Sequence, residues 1–249
     1  MLLENKVAVI YGAGGSIGGA VARVFAREGA NVFLAGRTQS SLDKVAEEIR
    51  SKGGMGEVVV VDALDEQAVE RCVDQIVKKA GSLDVSFNLI SVGDVQKLLL
   101  ELSLKDFMQP IMNEMRTQFL TTQAAARHMI KQGSGVILHF GGGGPQTQAG
   151  LGGFKIALDA MEGLRRQWAV ELGQYGIRVL TLKTGGIPES IPEDAPEREE
   201  IINSLLPQTL LHRMATLEDV GNVAAFAASD QARTITSTEI NISCGAIVD

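Results

Sequence analysis

Short apolar runs punctuate this chain, and most are followed by a stretch in which apolar residues recur every three or four positions. The runs fall at residues 7–10, 32–35, 56–63, 83–90, 135–140, 177–182 and 239–242. Between them lie helical patterns: Val21, Val24 and Phe25 on one face, then residues 65–80 with Val69, Val73, Ile76 and Val77 inward. Further helical patterns cover residues 152–172 and 217–228, and a longer one runs from about 104 to 131, where Pro110 predicts a bend or a start. Near-continuous Val/Ile/Leu strands separated by helices predict an α/β protein. Its sheet is doubly wound and parallel, with helices on both faces. All 249 residues fit one domain of this kind.

The first two runs enclose a glycine-rich turn, GAGGSIGG, beginning at Gly12. Strand, glycine turn, helix, strand is the first half of a dinucleotide-binding unit, the Rossmann fold. Gly12, Gly14, Gly15, Ser16, Ile17 and Gly18 are the predicted pyrophosphate cradle. Glycines let backbone approach the phosphates, and a helix N-terminus supplies free N–H groups and a positive dipole end.

The second strand ends in Gly36-Arg37 rather than in an acidic residue. A carboxylate there would bind the ribose 2′-hydroxyl and repel a 2′-phosphate. Arg37, assisted by Thr38 and Ser40, suits a phosphate instead, so NADP(H) is expected over NAD(H).

Charge and composition narrow the partners. The formal net charge is −7, which argues against nucleic-acid or anionic-membrane surfaces. No apolar run approaches the roughly 20 residues of a membrane span, and the first residues do not read as a signal peptide. Cys72 and Cys244 have no metal or CxxC spacing, so no metal site is expected and the thiols suit the cytoplasm. Residues 186–213 break the strand–helix rhythm with Pro188, Pro192, Pro196 and Pro207 among many acids. A connection that long, leaving the carboxyl end of a strand, is expected to be a substrate loop or lid.

The whole chain resembles the short-chain dehydrogenase/reductase family. Its glycine turn is similar to that family's TGxxxGxG, with Tyr11 at the usual threonine and Ser16 in place of a glycine. VVDALDE resembles the family's Val-Asp-Val turn, which implies that Asp62, with Ala63, meets the adenine. AMEGLRRQWAVELGQYGIRV, LEDVGNVAAFAASD and TSTEINISCGAIVD are similar to the family's interface helix, late helix and final strand. The resemblance also implies cofactor contacts at Asn88, Gly185 and Ile187, and a homodimer or homotetramer.

Catalysis in that family uses a tyrosine acid, a lysine four residues on, a serine and an asparagine. On the resemblance those positions hold Phe154, Leu158, Gly141 and Glu114. The strand-four NNAG motif keeps only Asn88, and Pro-Gly after strand six has become Thr184-Gly185. Phenylalanine cannot give a proton and leucine carries no charge. A positioned general acid contributes roughly 10²–10⁴ in rate, so reduction of a simple ketone is expected to be very slow. Glu114 is the candidate replacement acid, because burial raises a carboxyl pKa; the alternative is a plain helix carboxylate beside Arg116. Lys155 and Asp159 are expected at the surface, and His139 as a core residue or a site residue. Tyr11 either packs or reaches the nucleotide. The stripe Met108, Met112, Met115, Phe119 reads as core or subunit contact.

Three readings stay open. One is an NADP(H)-binding oxidoreductase with an atypical site, acting on an apolar small molecule through an activated C=C or C=N bond. The second is a non-redox enzyme on this scaffold, and the third a catalytically silent nucleotide-binding protein.

Overall fold

The structure is a computed structural model and describes residues 1–144, 147–195 and 198–248; Pro196 and Glu197 of the expected lid lie outside the described residues. Seven strands form one parallel sheet: β1 (Val7–Tyr11), β2 (Asn31–Gly36), β3 (Met55–Val60), β4 (Val85–Asn88), β5 (Gly135–Phe140), β6 (Ile177–Thr184) and β7 (Thr238–Ile242). Their order is β3-β2-β1-β4-β5-β6-β7. Registers such as Ile10 beside Leu34 and beside Phe87 are parallel throughout. The order reverses between β1 and β4, and a crevice opens there beyond the carboxyl ends of the strands.

Side chains alternate between the two sheet faces, as a period of two requires. Ala8 and Ile10 of β1 join the core formed under α1 (Ser16–Arg27), α2 (Gln39–Ser51) and α7 (Leu217–Ala228). Val7, Val9 and Tyr11 join the core under α3 (Glu66–Ala80), α4 (Leu104–Gln132) and α5 (Gly152–Leu172). Burial on both faces is why the central strands read as unbroken apolar runs rather than as alternation.

Three local differences from the sequence reading have physical causes. The fourth strand spans only four residues, and Asn88 ends it by turning its side chain onto the backbone. Pro110 neither starts nor breaks α4, which runs 29 residues from its N-cap Ser103. At Pro110 the helix presses on α5: a Cβ at Gly153 would stand 2.0 Å from Phe107 O and 3.0 Å from Pro110 Cγ. That close approach leaves room only for glycine at 153. The segment from 186 to 213 carries its own helix, α6 (Arg198–Leu205), between short 3-10 turns.

Candidate active site

The crevice at β1 and β4 is a cleft of about 440 Å³, lined by Gly12, Gly14, Gly15, Arg37, Thr38, Asp62 and Ala63 among others. These expected cofactor residues are brought together from the ends of three adjacent strands. Gly12 has φ +81°, and a Cβ there would lie 2.5 Å from Leu89 O, so both conformation and space require glycine. A Cβ at Gly18 would lie 2.3 Å from Gly12 O, which is how the first turn of α1 seats on the loop. Gly15 caps α1 without any side-chain acceptor, so the first backbone N–H groups of the helix have no side-chain cap, and Gly14 and Gly15 just before them line the cleft. An anion fits this arrangement.

At the far end of the cleft, Arg37 is exposed, and among the described residues no carboxylate pairs with it. Asp62 is exposed too. One of its carboxylate oxygens accepts the Leu64 N–H at 3.0 Å, which fixes the turn after β3. Asn113, the sequence neighbour of Glu114 at the position of the family's asparagine, and Thr117, one turn further along α4, also line this cleft. Asn113 Nδ2 donates to Val92 O at 2.9 Å and so ties α4 to the loop after β4. The four-residue spacing of Asn113 and Thr117 puts both on one face of α4, but α4 carries many other polar side chains, so nothing in the sequence marked this pair.

Asn88, Gly185 and Ile187 are placed differently from the other expected cofactor residues. Asn88 is buried; its amide donates to Thr121 Oγ1 at 3.1 Å and accepts from Ile90 N at 3.0 Å, which braces the strand end. Gly185 and Ile187 sit past β6, where a Cβ at Gly185 would lie 2.8 Å from Ala246 Cβ and Ile187 packs into the core.

Phe154 and Leu158 are half-buried on the first turns of α5. Leu158 meets the loop after β5: a Cβ at Gly141 would stand 2.7 Å from its Cδ2. Cβ atoms at Gly142 and Gly143 would stand 2.5 Å from Lys183 Cβ and 2.4 Å from Asp159 Oδ1. Gly141, Gly142 and Gly144 all have φ between +128° and +140°, a region that side-chain-bearing residues avoid. The glycine run is therefore a fitted loop. It is held from α5, since Asp159 Oδ1 accepts Gly144 N–H at 3.2 Å and Lys155 Nζ donates to Gly144 O at 2.8 Å while pairing with Asp159.

That clamp corrects the surface placement of Lys155, whose side chain is only 14% exposed; Asp159, at 44%, faces solvent while still holding the loop. The signal was an i, i+4 opposite-charge pair, which sequence alone could not aim at the loop.

Glu114 is buried on α4, and its Oε1 accepts from Gln118 Nε2 at 3.0 Å; Gln118 in turn touches Met161 Sδ at 3.7 Å. Its partner is thus a neutral amide rather than Arg116, which is exposed. Burial pushes the carboxyl up to about 7, partly offset by the Gln118 hydrogen bond. Met161 also reaches Gly141, 3.5 Å from the position of a Cβ there, so Glu114 lies one layer behind the glycine loop.

His139 is wholly buried, with Nε2 3.3 Å from Thr122 Oγ1. Burial and the nearby Arg165 guanidinium lower its pKa to about 3, so it is a neutral core residue. Tyr11 is also wholly buried, its hydroxyl beside the Cys72 thiol, and burial raises both pKa values, Cys72 to about 12. Tyr11 is among the residues lining the cleft, with its hydroxyl turned to Cys72.

A larger cleft, about 630 Å³, opens among α1, α2 and α7 beside the starts of β2 and β3. Its Arg23 and Arg27 are already tied to Glu48 and Glu218, and it lies away from the strand ends where the glycine turn is. The smaller cleft is the candidate site.

Comparison with known proteins agrees with this geometry. A family model described as enoyl-(acyl carrier protein) reductase matches residues 12–246. The chain belongs to the short-chain dehydrogenase/reductase family. It is 31% identical to meso-2,3-butanediol dehydrogenase of Serratia marcescens, over 99% of this chain and 96% of that one. It is 29% identical to a 3-oxoacyl-(acyl carrier protein) reductase of Thermotoga maritima across both full lengths. A short-chain dehydrogenase/reductase structure from Serratia marcescens superposes with TM-score 0.89, at 28% identity and 99% coverage of each chain. Short-chain dehydrogenases/reductases bind nicotinamide cofactors and act as oxidoreductases on small molecules. No helix among the described residues is long and apolar enough to cross a membrane.

Proposed function

We propose that this short-chain dehydrogenase/reductase is an NADP(H)-binding oxidoreductase whose substrate needs no proton from a tyrosine. The observation that carries the cofactor part is Arg37: an exposed guanidinium at the end of the cleft, without a carboxylate partner among the described residues, next to a glycine where a carboxylate would oppose phosphate. Bound NADPH supplies a hydride. The chain's own part is to hold the nucleotide, with the glycine turn and the α1 N-terminus on the pyrophosphate, Arg37 and Thr38 on the 2′-phosphate, and Asp62 at the adenine.

Phe154, Leu158 and Gly141 present an apolar wall and bare backbone at the positions where the family resemblance places its acid, lysine and serine. A conjugated C=C, whose hydride adduct is a resonance-stabilised enolate that can take its proton later, or a preformed iminium C=N⁺, whose hydride adduct is a neutral amine, fits such a wall. Glu114 is a buried carboxyl linked to that wall through Gln118 and Met161, and it is the proposed proton store. The same apolar positions favour, as the second reading, a nucleotide-binding protein without chemistry.

Exposed Met112 and Phe119 on α4, with the Phe119 ring 5.6 Å from Trp168 of α5, support a homodimer or homotetramer through these helices. The free thiols Cys72 and Cys244 support a reducing compartment such as the cytoplasm.

Fluorescence titration of the protein with NADPH and NADH tests the first part. NADPH should bind more tightly; binding of neither overturns the proposal. Following NADPH absorbance with activated alkenes, imines and simple ketones then separates the two readings: turnover of an alkene or imine supports the oxidoreductase, and none with any acceptor supports the silent protein.

A further inference from the structure

Glu114 and Gln118 meet on adjacent turns of α4, with exposures of only 3% and 1%. A glutamine amide has two N–H donors and one carbonyl acceptor to satisfy. Gln118 Nε2 donates to Glu114 Oε1 at 3.0 Å and to Met161 Sδ at 3.7 Å, which uses both donors. Its Oε1 is closed to solvent and receives no hydrogen bond among the described residues. A buried carbonyl left in this way is costly, and folded proteins rarely keep one. Turning the amide over does not repair the fault. Oε1 would then lie against Glu114 Oε1, two acceptors face to face. A proton on Glu114 repairs either orientation.

No charge answers the carboxyl instead. Arg116, its neighbour on α4, is exposed. On α5, Lys155 pairs with Asp159 and Arg165 with Glu162. On β5, His139 is neutral; on β6, Lys183 pairs with Glu239 and Arg178 holds backbone carbonyls. On α3, Glu70 and Asp74 go to Arg127 and His128, three turns further along α4. β4 carries no charged residue.

We infer that Glu114 and Gln118 form an acid–amide pair, the protonated carboxyl donating its O–H to Gln118 Oε1 while it accepts from Gln118 Nε2. Gln118 acts through Glu114 and is a positioning residue. The amide also serves the ionised state, because Nε2–H still donates to a carboxylate, so Glu114 gives up and regains a proton without losing its partner. Asn113 and Thr117, on either side of Glu114 in the chain, line the cleft, so the pair sits in the stretch of α4 that walls it. The pair stands on this geometry; its use as a proton source rests on the proposed oxidoreductase reading.

The test is infrared spectroscopy of the full-length protein from about pH 5 to about pH 9. The spectrum of Glu114→Gln is subtracted, so that Glu162, another carboxyl raised by burial, cancels. A protonated-carboxyl C=O band should be present at low pH and fall away as pH rises through about 7. Gln118→Met, similar in length and without the amide, should shift that band to higher wavenumber or remove it, because the carboxyl then loses both hydrogen bonds. Exchanging the pair, Glu114→Gln with Gln118→Glu, should return the band to its native position. Absence of the band in the native protein, or a band that Gln118→Met leaves in place, overturns the inference. So does an exchange variant that folds by circular dichroism and does not restore it. Fluorescence titration of the same samples with NADPH separates the two claims. The band without NADPH binding would keep the pair and remove the oxidoreductase reading; NADPH binding without the band would remove the pair alone.

Discussion

Leu158 occupies the space that a side chain at position 141 would need, its Cδ2 only 2.7 Å from the Cβ that Gly141 lacks. The two positions on which the family resemblance places a lysine and a serine are therefore coupled here: Leu158 fills the room that a side chain at 141 would need. Gly141→Ser alone should lower stability by about 1–3 kcal/mol through overpacking, with a further cost from φ +130°. Gly141→Ser combined with Leu158→Ala should lose less than the two single changes summed, measured by urea unfolding. Strict additivity would show that the contact is not felt.

Arg37→Ala should weaken NADPH binding about 10- to 100-fold, the loss of one or two charge-assisted hydrogen bonds. NADH binding should change less than about twofold. Equal losses for both nucleotides would remove Arg37 as the selector.

Glu114 makes stability depend on pH in a definite direction. Its folded pKa, about 7, lies above that of an unfolded glutamate. The folded state therefore keeps the proton as the unfolded state loses it. This contribution is fully present below about pH 4.5 and is lost as pH rises through about 7. Glu114→Gln keeps the hydrogen bond from Gln118 and cannot ionise. Relative to the native protein it should gain about 2–4 kcal/mol between pH 4.5 and 8, read from urea unfolding at both ends. Parallel pH profiles would place the carboxyl in contact with water.

The clamp from α5 should govern the glycine loop's mobility. Asp159→Ala removes both the acceptor for Gly144 N–H and the partner of Lys155. Amide hydrogen exchange across residues 141–144 should then quicken about tenfold or more, while Asp159→Asn, which keeps an acceptor oxygen, changes it less. Global stability should move by no more than about 1 kcal/mol, since the pair is partly solvated. Unchanged exchange would mean that the loop is held by its own backbone.

The sequence by itself determined the parallel sheet, the glycine turn and the acid-free end of β2, because each is written in local pattern. A strand buried on both faces must be apolar throughout, and a turn with φ +81° pressed on a neighbouring carbonyl must be glycine. It also supplied the substitutions Phe154, Leu158 and Gly141, but not their meaning. Only the tertiary structure showed that Leu158 fills the room beside Gly141, that Lys155 and Asp159 hold Gly144, and that Asn88 turns inward to Thr121. Periodicity records how much each residue is buried; it does not record which distant residue does the burying. That is fixed by strand order and helix packing, where side chains far apart in the chain compete for the same volume.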